Sequence, residues 1–476
     1  FKSTLRFTHL SKKLPVKSKV IFTLMSPCMI FRSNLAPAVF KNFGTAPRTI
    51  HTVQERKYPH PTPPITPPTP PVIEQLSKTM GRESGYSSIP PSRKHLLQYG
   101  PREQNELPPR SLRDSYVEGY IPLSKDLKLQ EKYTTFLGSL RIGRLLEDMD
   151  YFAVIIAQKH ILNPKLPPHV PLPQTLVTAR IDKIDFTPFV PQVKEDVKIS
   201  GHVDRVGRST MEITVWMGQK WQGSWNRITR AVFLIASRDP TNQKAAVVNP
   251  VKPKDDIEKN IIEAAGKRQR LRQHQQQLHI SKTRPNDDEQ KLIHDLYLKT
   301  EAYKRVTHTS ATPPSGGVWM EQLQIGNTIF SQPDHRNLHN TVFGGFIMRQ
   351  ATQLSWVLAT RFSKHHPQLK HINDIEFREP ISVNSLIRMR AFVVFTYMEF
   401  VQITVFVTTW QLHEEAPRLT NVLHFTYQVP EFVKQVYPRT YHEAMMYVDG
   451  KRHFDEVIKP TPEEKGLLNE EGSLVS

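Results

Sequence analysis

Ile181-Asp182-Lys183-Ile184-Asp185-Phe186 returns about 190 residues later as Ile372-Asn373-Asp374-Ile375-Glu376-Phe377. At the same spacing, Met211-Glu212-Ile213-Thr214-Val215-Trp216 returns as Val401-Gln402-Ile403-Thr404-Val405-Phe406. The second pair alternates apolar and polar side chains, the period of a strand with one face on a core. Two matches in one register mean that one module is present twice. The surrounding elements repeat in the same order. In the first copy a strand at 115–123 precedes a helix over 142–160, with Leu145, Leu146, Met149, Phe152, Ala153 and Ile156 at helical spacing. Strands are predicted at 175–187, 195–206, 209–217 and 228–237. In the second copy a strand at 318–331 precedes a helix over 344–362, then strands at 369–379, 385–396, 400–410 and 419–429. The helix openings Gly143-Arg144-Leu145-Leu146 and Gly345-Phe346-Ile347-Met348 lie about 202 residues apart, and a Pro-rich insert at 163–173 accounts for the difference. The fold class expected is α+β: two modules in one chain, each a long helix lying on a curved antiparallel sheet.

The modules are placed at 113–238 and 318–430. Residues 239–317 are charged and Gln-rich and read as a polar helical linker; its basic cluster at 267–272 is a solvated helix face or, alternatively, an RNA contact. Residues 431–476 read as a C-terminal tail and 55–112 as a Pro-rich disordered leader, with Pro-His-Pro-Thr-Pro-Pro-Ile-Thr-Pro-Pro-Thr-Pro-Pro at 59–71 as a polyproline-type spacer. Residues 1–54 hold about nine Lys and Arg and neither Asp nor Glu, the composition of a mitochondrial transit peptide. That stretch carries about half of the formal net charge of +19 over the 476 residues. What remains is mildly basic, so no nucleic-acid partner is expected. One Cys excludes an intrachain disulfide framework, and no apolar run is long enough for a membrane-spanning helix.

The stretch with chemistry in it is Asn337-Leu338-His339-Asn340-Thr341-Val342-Phe343-Gly344-Gly345-Phe346-Ile347-Met348. Two glycines open the second central helix. Glycine lets a ligand approach the backbone, and free N–H groups at a helix start suit a developing oxyanion. No His-Glu-x-x-His, Gly-x-Ser-x-Gly or phosphate-loop signature occurs, so no cofactor and no metal site is expected.

This helix opening resembles that of the hotdog-fold acyl-coenzyme A thioesterases. Val318-Trp319-Met320-Glu321, Thr440-Tyr441 and Asp449-Gly450-Lys451-Arg452-His453-Phe454 extend the likeness over about 113–455 to the mitochondrial thioesterase 9 type. The resemblance implies a double hotdog that hydrolyses acyl-CoA to free acid and coenzyme A in the mitochondrial matrix, assembled as a homo-oligomer, a trimer of double hotdogs. It also implies site residues. Gly143-Arg144-Leu145-Leu146-Glu147-Asp148-Met149-Asp150 places Asp150 on the family's catalytic acid, whereas the second copy has Thr352 there. One composite site per chain follows, with Asp150 facing Gly344 and Gly345, Asn340 or Thr341 as the group orienting water, and His339 beside the substrate. Other readings are a hotdog hydratase or dehydratase using His339, and a non-catalytic RNA- or ribosome-associated protein using 267–272.

Overall fold

The computed structural model describes residues 87–458, apart from 90–91, 281, 308–311, 315, 338–339, 374, 412–413 and 415. Residues 1–54, expected to be a transit peptide, the proline run at 59–71 and the tail beyond 458 lie outside the described residues. The first module comprises β1 (Val117–Ile121), α1 (Ile142–His160), β2 (Thr175–Phe186), β3 (Val197–Val206), β4 (Thr210–Trp221) and β5 (Ser224–Arg238). Two helices follow, α2 (Asp256–Leu278) and α3 (Asp287–Thr307). The second module comprises β6 (Gly317–Trp319), β7 (Gln324–Phe330), α4 (Gly344–Ser363), β8 (Gln368–Asn373), β9 (Ile375–Glu376), β10 (Leu386–Tyr397), β11 (Phe400–Trp410) and β12 (Arg418–Gln428). β13 (Gln435–Tyr437) and α5 (Tyr441–Ile458) complete the described chain. The architecture is α+β, built on antiparallel pairing.

All but β6 and β13 belong to one sheet, in the order β1-β3-β4-β5-β2-β8-β12-β11-β10-β7, with β9 beside β2. Read from either end, the sequence of corresponding strands is the same, so the two modules are related by a pseudo-two-fold axis at the β2–β8 junction. The repeated hexapeptides meet there: Ile184 lies opposite Ile372 and Ile181 opposite Ile375. Arg180 reaches Glu376 (3.1 Å) and His371 Nδ1 lies 2.8 Å from Asp185 Oδ1 across the same junction.

The apolar stripe of α1 (Leu145, Leu146, Met149, Phe152, Ile156) is fully buried against the sheet, and its other face packs on α4. A helix with a sheet on one side and a helix on the other is buried all round, which explains why even Glu147, Asp148 and Asp150 are inside.

Three expectations from the sequence need correction. The leader is not free chain at its end: Leu96 and Leu107 are buried, and Arg93 donates to Leu172 O (2.6 Å). The linker is not simply solvated. Ala264 and Ala265 of α2 are buried, and Arg268 and Arg272 reach Asp204, Glu212 and Asp182 on the outer face of the first module's sheet. Those two arginines are held by carboxylates, which removes them from the RNA-binding reading of 267–272. The segment from 431 is not a plain tail either. α5 buries Ala444, Met446, Tyr447, Val448 and Phe454 on the corresponding face of the second module.

Candidate active site

The two central helices cross where each has a glycine. A Cβ on Gly345 would stand 2.9 Å from the Glu147 Cα, and one on Gly143 would stand 3.1 Å from the Arg349 carbonyl oxygen. Backbone therefore meets backbone at two related points, and only residues without a side chain fit this close approach. Between these points Glu147 of α1 pairs with Arg349 of α4 at 2.8 Å. These positions correspond in the repeat, so the two-fold axis passes through an ion pair of opposite charges.

One helical turn further along α1, Asp150 points at the start of α4. Its Oδ2 accepts the Gly345 N–H at 2.7 Å, and its Oδ1 accepts the Thr178 hydroxyl at 2.7 Å. Gly344 lies alongside: a Cβ there would be 3.4 Å from Asp150 Oδ2 and 2.6 Å from the Phe377 ring. Asp150, Gly344 and Gly345 are thus brought together from two modules. Burial pushes the Asp150 carboxyl up to about 6 from its ordinary 3.8; the hydrogen bonds from Thr178 and Gly345 oppose this, and the nearby Glu147 adds to it. Asp148, also buried, is raised to about 7, mainly by burial and against the pull of Arg144 and Tyr133. It accepts the Tyr133 hydroxyl inside the first module.

The remaining expected residues stand differently. Asn340 has a left-handed backbone (φ 54°), and its amide donates to the carbonyls of Ser87 (2.8 Å) and Ser88 (3.2 Å). Its own carbonyl accepts the Val383 N–H (2.8 Å), and the Thr341 N–H is taken by Asn337 Oδ1 (3.1 Å). These bonds give the loop before α4 its shape and turn Asn340 toward the chain at 87–88. His339 lies outside the described residues. Thr352, in Asp150's place on α4, returns its hydroxyl to the Met348 carbonyl of its own helix (2.7 Å) and is buried. That position has neither a carboxylate nor a hydroxyl turned toward α1.

The sequence reading missed Thr178, Phe377 and the tilted ring pair Tyr151–Phe343, whose centroids are 4.7 Å apart. Thr178 follows the Pro-rich insert on β2, and no motif marks it.

No family model matches the chain. Over 380 residues it is 34% identical to human acyl-coenzyme A thioesterase 9, mitochondrial, covering 79% of this chain and 85% of that protein. Over 369 residues it is 33% identical to mouse acyl-coenzyme A thioesterase 10, mitochondrial, covering 77% and 83%. Among solved structures, an acyl-CoA hydrolase from Bacillus cereus aligns with a TM-score of 0.30 at 20% identity, covering 32% of this chain and 96% of that one. The chain belongs to the mitochondrial acyl-coenzyme A thioesterase 9 family.

Proposed function

We propose that the protein hydrolyses acyl-CoA thioesters to free acid and coenzyme A, at one site per chain shared between its two modules and built as a double hotdog. The observation that carries this reading is the 2.7 Å contact between Asp150 of one module and the Gly345 N–H of the other. It joins a carboxylate titrating near neutrality to the donor end of a helix, in a chain whose relatives are named thioesterases.

The steps follow from these groups. The thioester carbonyl lies at the start of α4, where backbone N–H groups and the positive helix end stabilise the charge that develops on its oxygen. Asp150, ionised above about pH 6, takes a proton from water as the water oxygen bonds to the carbonyl carbon. As the tetrahedral species collapses, the C–S bond breaks and the departing sulfur receives that proton. Thr178 holds Oδ1 and so fixes the plane of the carboxylate. Gly344 and Gly345 let the helix start lie directly against Asp150, Glu147 and the Phe377 ring. Asn340 holds the loop through Ser87 and Ser88, so its contribution to the reaction is through the loop.

The relatives named mitochondrial support a mitochondrial location, and the matrix is our finer reading, together with a homo-oligomer of double hotdogs. Among the described residues no helix is long and apolar enough to cross a membrane.

The test is release of coenzyme A thiol from short-, medium- and long-chain acyl-CoA. Asp150→Asn is expected to lower kcat by about 10²–10⁴-fold, the usual range for removing a general base. Thr352→Ala should keep kcat near the parent value. Full activity of Asp150→Asn, or loss with Thr352→Ala alone, would reverse the assignment of the two positions.

A further inference from the structure

The ends of the two central helices correspond in the repeat and are finished differently. The end of α1 is closed by the chain around it. His160 Nε2 lies 2.9 Å from the Asn249 carbonyl oxygen. The buried Asn249 side chain accepts the Leu162 N–H (2.9 Å) and donates to the carbonyls of Pro108 and Leu162 (2.9 Å each). Lys159 donates to the Tyr116 carbonyl (2.7 Å), and the Arg110 guanidinium reaches the Lys159 carbonyl (3.4 Å). Beside this knot Arg110 and Val251 form a parallel bridge.

The second module has the same bridge, Val318 of β6 against Val436 of β13. Two residues before it stands Lys434 in place of Asn249, and Val318 itself replaces Arg110. At the offset of the helices, Arg361 replaces Lys159 and Lys364 replaces Leu162. None of these residues can tie the knot, and a cavity of about 400 Å³ takes its place at the end of α4. Leu323 and Leu358 form its buried walls, with Phe362 and Val433 partly buried beside them. Arg361, Lys364 and Lys434 line it too, and among the described residues their charged groups make no hydrogen bond or ion pair. Glu431, also in the lining, pairs with His365 at 3.3 Å.

We propose that this cavity binds an amphiphilic carboxylate, a fatty acid of medium chain length, with its head among Arg361, Lys364 and Lys434 and its tail against Leu323 and Leu358. Arg361 and Lys364 answer the negative end of α4, but a helix end carries only about half an elementary charge. Three cations, one of them from a separate segment, exceed that need. An anionic head uses this excess, and the apolar walls select a head that carries a tail. The volume lies at the lower end of the range of about 300–1,000 Å³ for small-molecule pockets, which fits a medium rather than a long chain. Phe432, 82% exposed at the rim, supplies an apolar ring to cover the bound tail. Gly345 is sixteen residues back along α4, about 24 Å at 1.5 Å per residue, so this cavity is separate from the composite site and does not depend on the thioesterase reading.

The test is isothermal titration of the full chain with decanoate, with decanol (the same tail without the charge) and inorganic phosphate (a charge without the tail) as competitors. Decanoate should bind saturably, and each competitor should displace it poorly. Lys434→Asn copies the first module's residue, and Arg361→Gln removes a second cation. Each should weaken one equivalent of binding about tenfold or more, the usual worth of a hydrogen bond to a charged group. Both residues are exposed, and far-UV circular dichroism should show the parent fold in both variants. Asp150→Asn should leave this equivalent unchanged, which separates the result from the fate of the composite site. Absence of saturable decanoate binding, affinity within about twofold of the parent in both variants, or equal binding of decanol or phosphate would overturn the proposal.

Discussion

At the scale of single residues, Asp150 is the group whose charge state matters most. A carboxylate held in a buried place with two donors is partly compensated, which leaves it titrating near 6 rather than 3.8. As a base it must be ionised, so kcat is expected to rise with pH through an apparent value near 6 and to fall on the acid side, a limb that a pH–rate profile would show. Stability runs the other way. A folded-state value raised above the unfolded one favours the protonated form, so Asp150 stabilises the fold below about pH 4, and this contribution is lost as pH rises through about 6. Urea titrations across that window should show the parent losing stability relative to Asp150→Asn. Thr178→Val removes a hydrogen bond that favours the charged form, so its acid limb should move to higher pH, whereas an unmoved limb would show that Thr178 does not tune the base. Asp150 was legible because the repeat sets it against Thr352 and the family resemblance places an acid there. Thr178 was not, because its role depends on how β2 returns past α1 after an insert whose path no local pattern fixes.

At the scale of elements, α1 and α4 were readable almost to the residue, since each carries an unbroken apolar stripe bounded by glycine at its start. Their crossing is tight at those glycines. Gly345→Ala would place a methyl group 2.9 Å from backbone that cannot rotate away, and overpacking of this kind costs about 1–3 kcal/mol. Chemical denaturation should show that loss, along with reduced kcat, because the N–H that Asp150 accepts belongs to the displaced residue. α2 was misread as solvated for a physical reason. Its sequence is charged on most sides, and only the sheet opposite, with Asp204, Glu212 and Asp182 on its outer face, turns Arg268 and Arg272 into buried partners. Removing one partner of a buried pair leaves the other charge without compensation. Arg268→Ala should therefore cost about 3–5 kcal/mol, measured in urea, while Lys267→Ala on the exposed side should cost little. α5 escaped notice because its apolar residues are interleaved with Asp449, Lys451 and Arg452, the last of which pairs with Glu289 of α3.

At the scale of the whole molecule, duplication explains the shared core and accounts for the single site proposed. The repeated hexapeptides that mark the modules pair with each other across the axis, so the stretch that reveals the repeat also joins its halves. Two equal halves would give two equal sites. Here Asp150 faces Gly345 in one, and Thr352, its hydroxyl returned to its own helix, takes the acid's place in the other. Each half alone leaves the edge of β2 or β8 unpaired and uncovers the inner face of α1 or α4. An exposed edge beside an apolar helix face favours association. A chain ending after α2, residues 87–278, and one of 279–458 should each self-associate in size-exclusion chromatography with light scattering. Self-pairing of the first half would supply two copies of Asp150 with Ile142-Gly143 opposite, and of the second, Gly344-Gly345 with no acid. Neither should release thiol from acyl-CoA, and co-expression should restore release, because only the mixed pair sets the carboxylate of one module against the helix start of the other. Thiol release by the second half alone would exclude Asp150 as the base and with it the composite site.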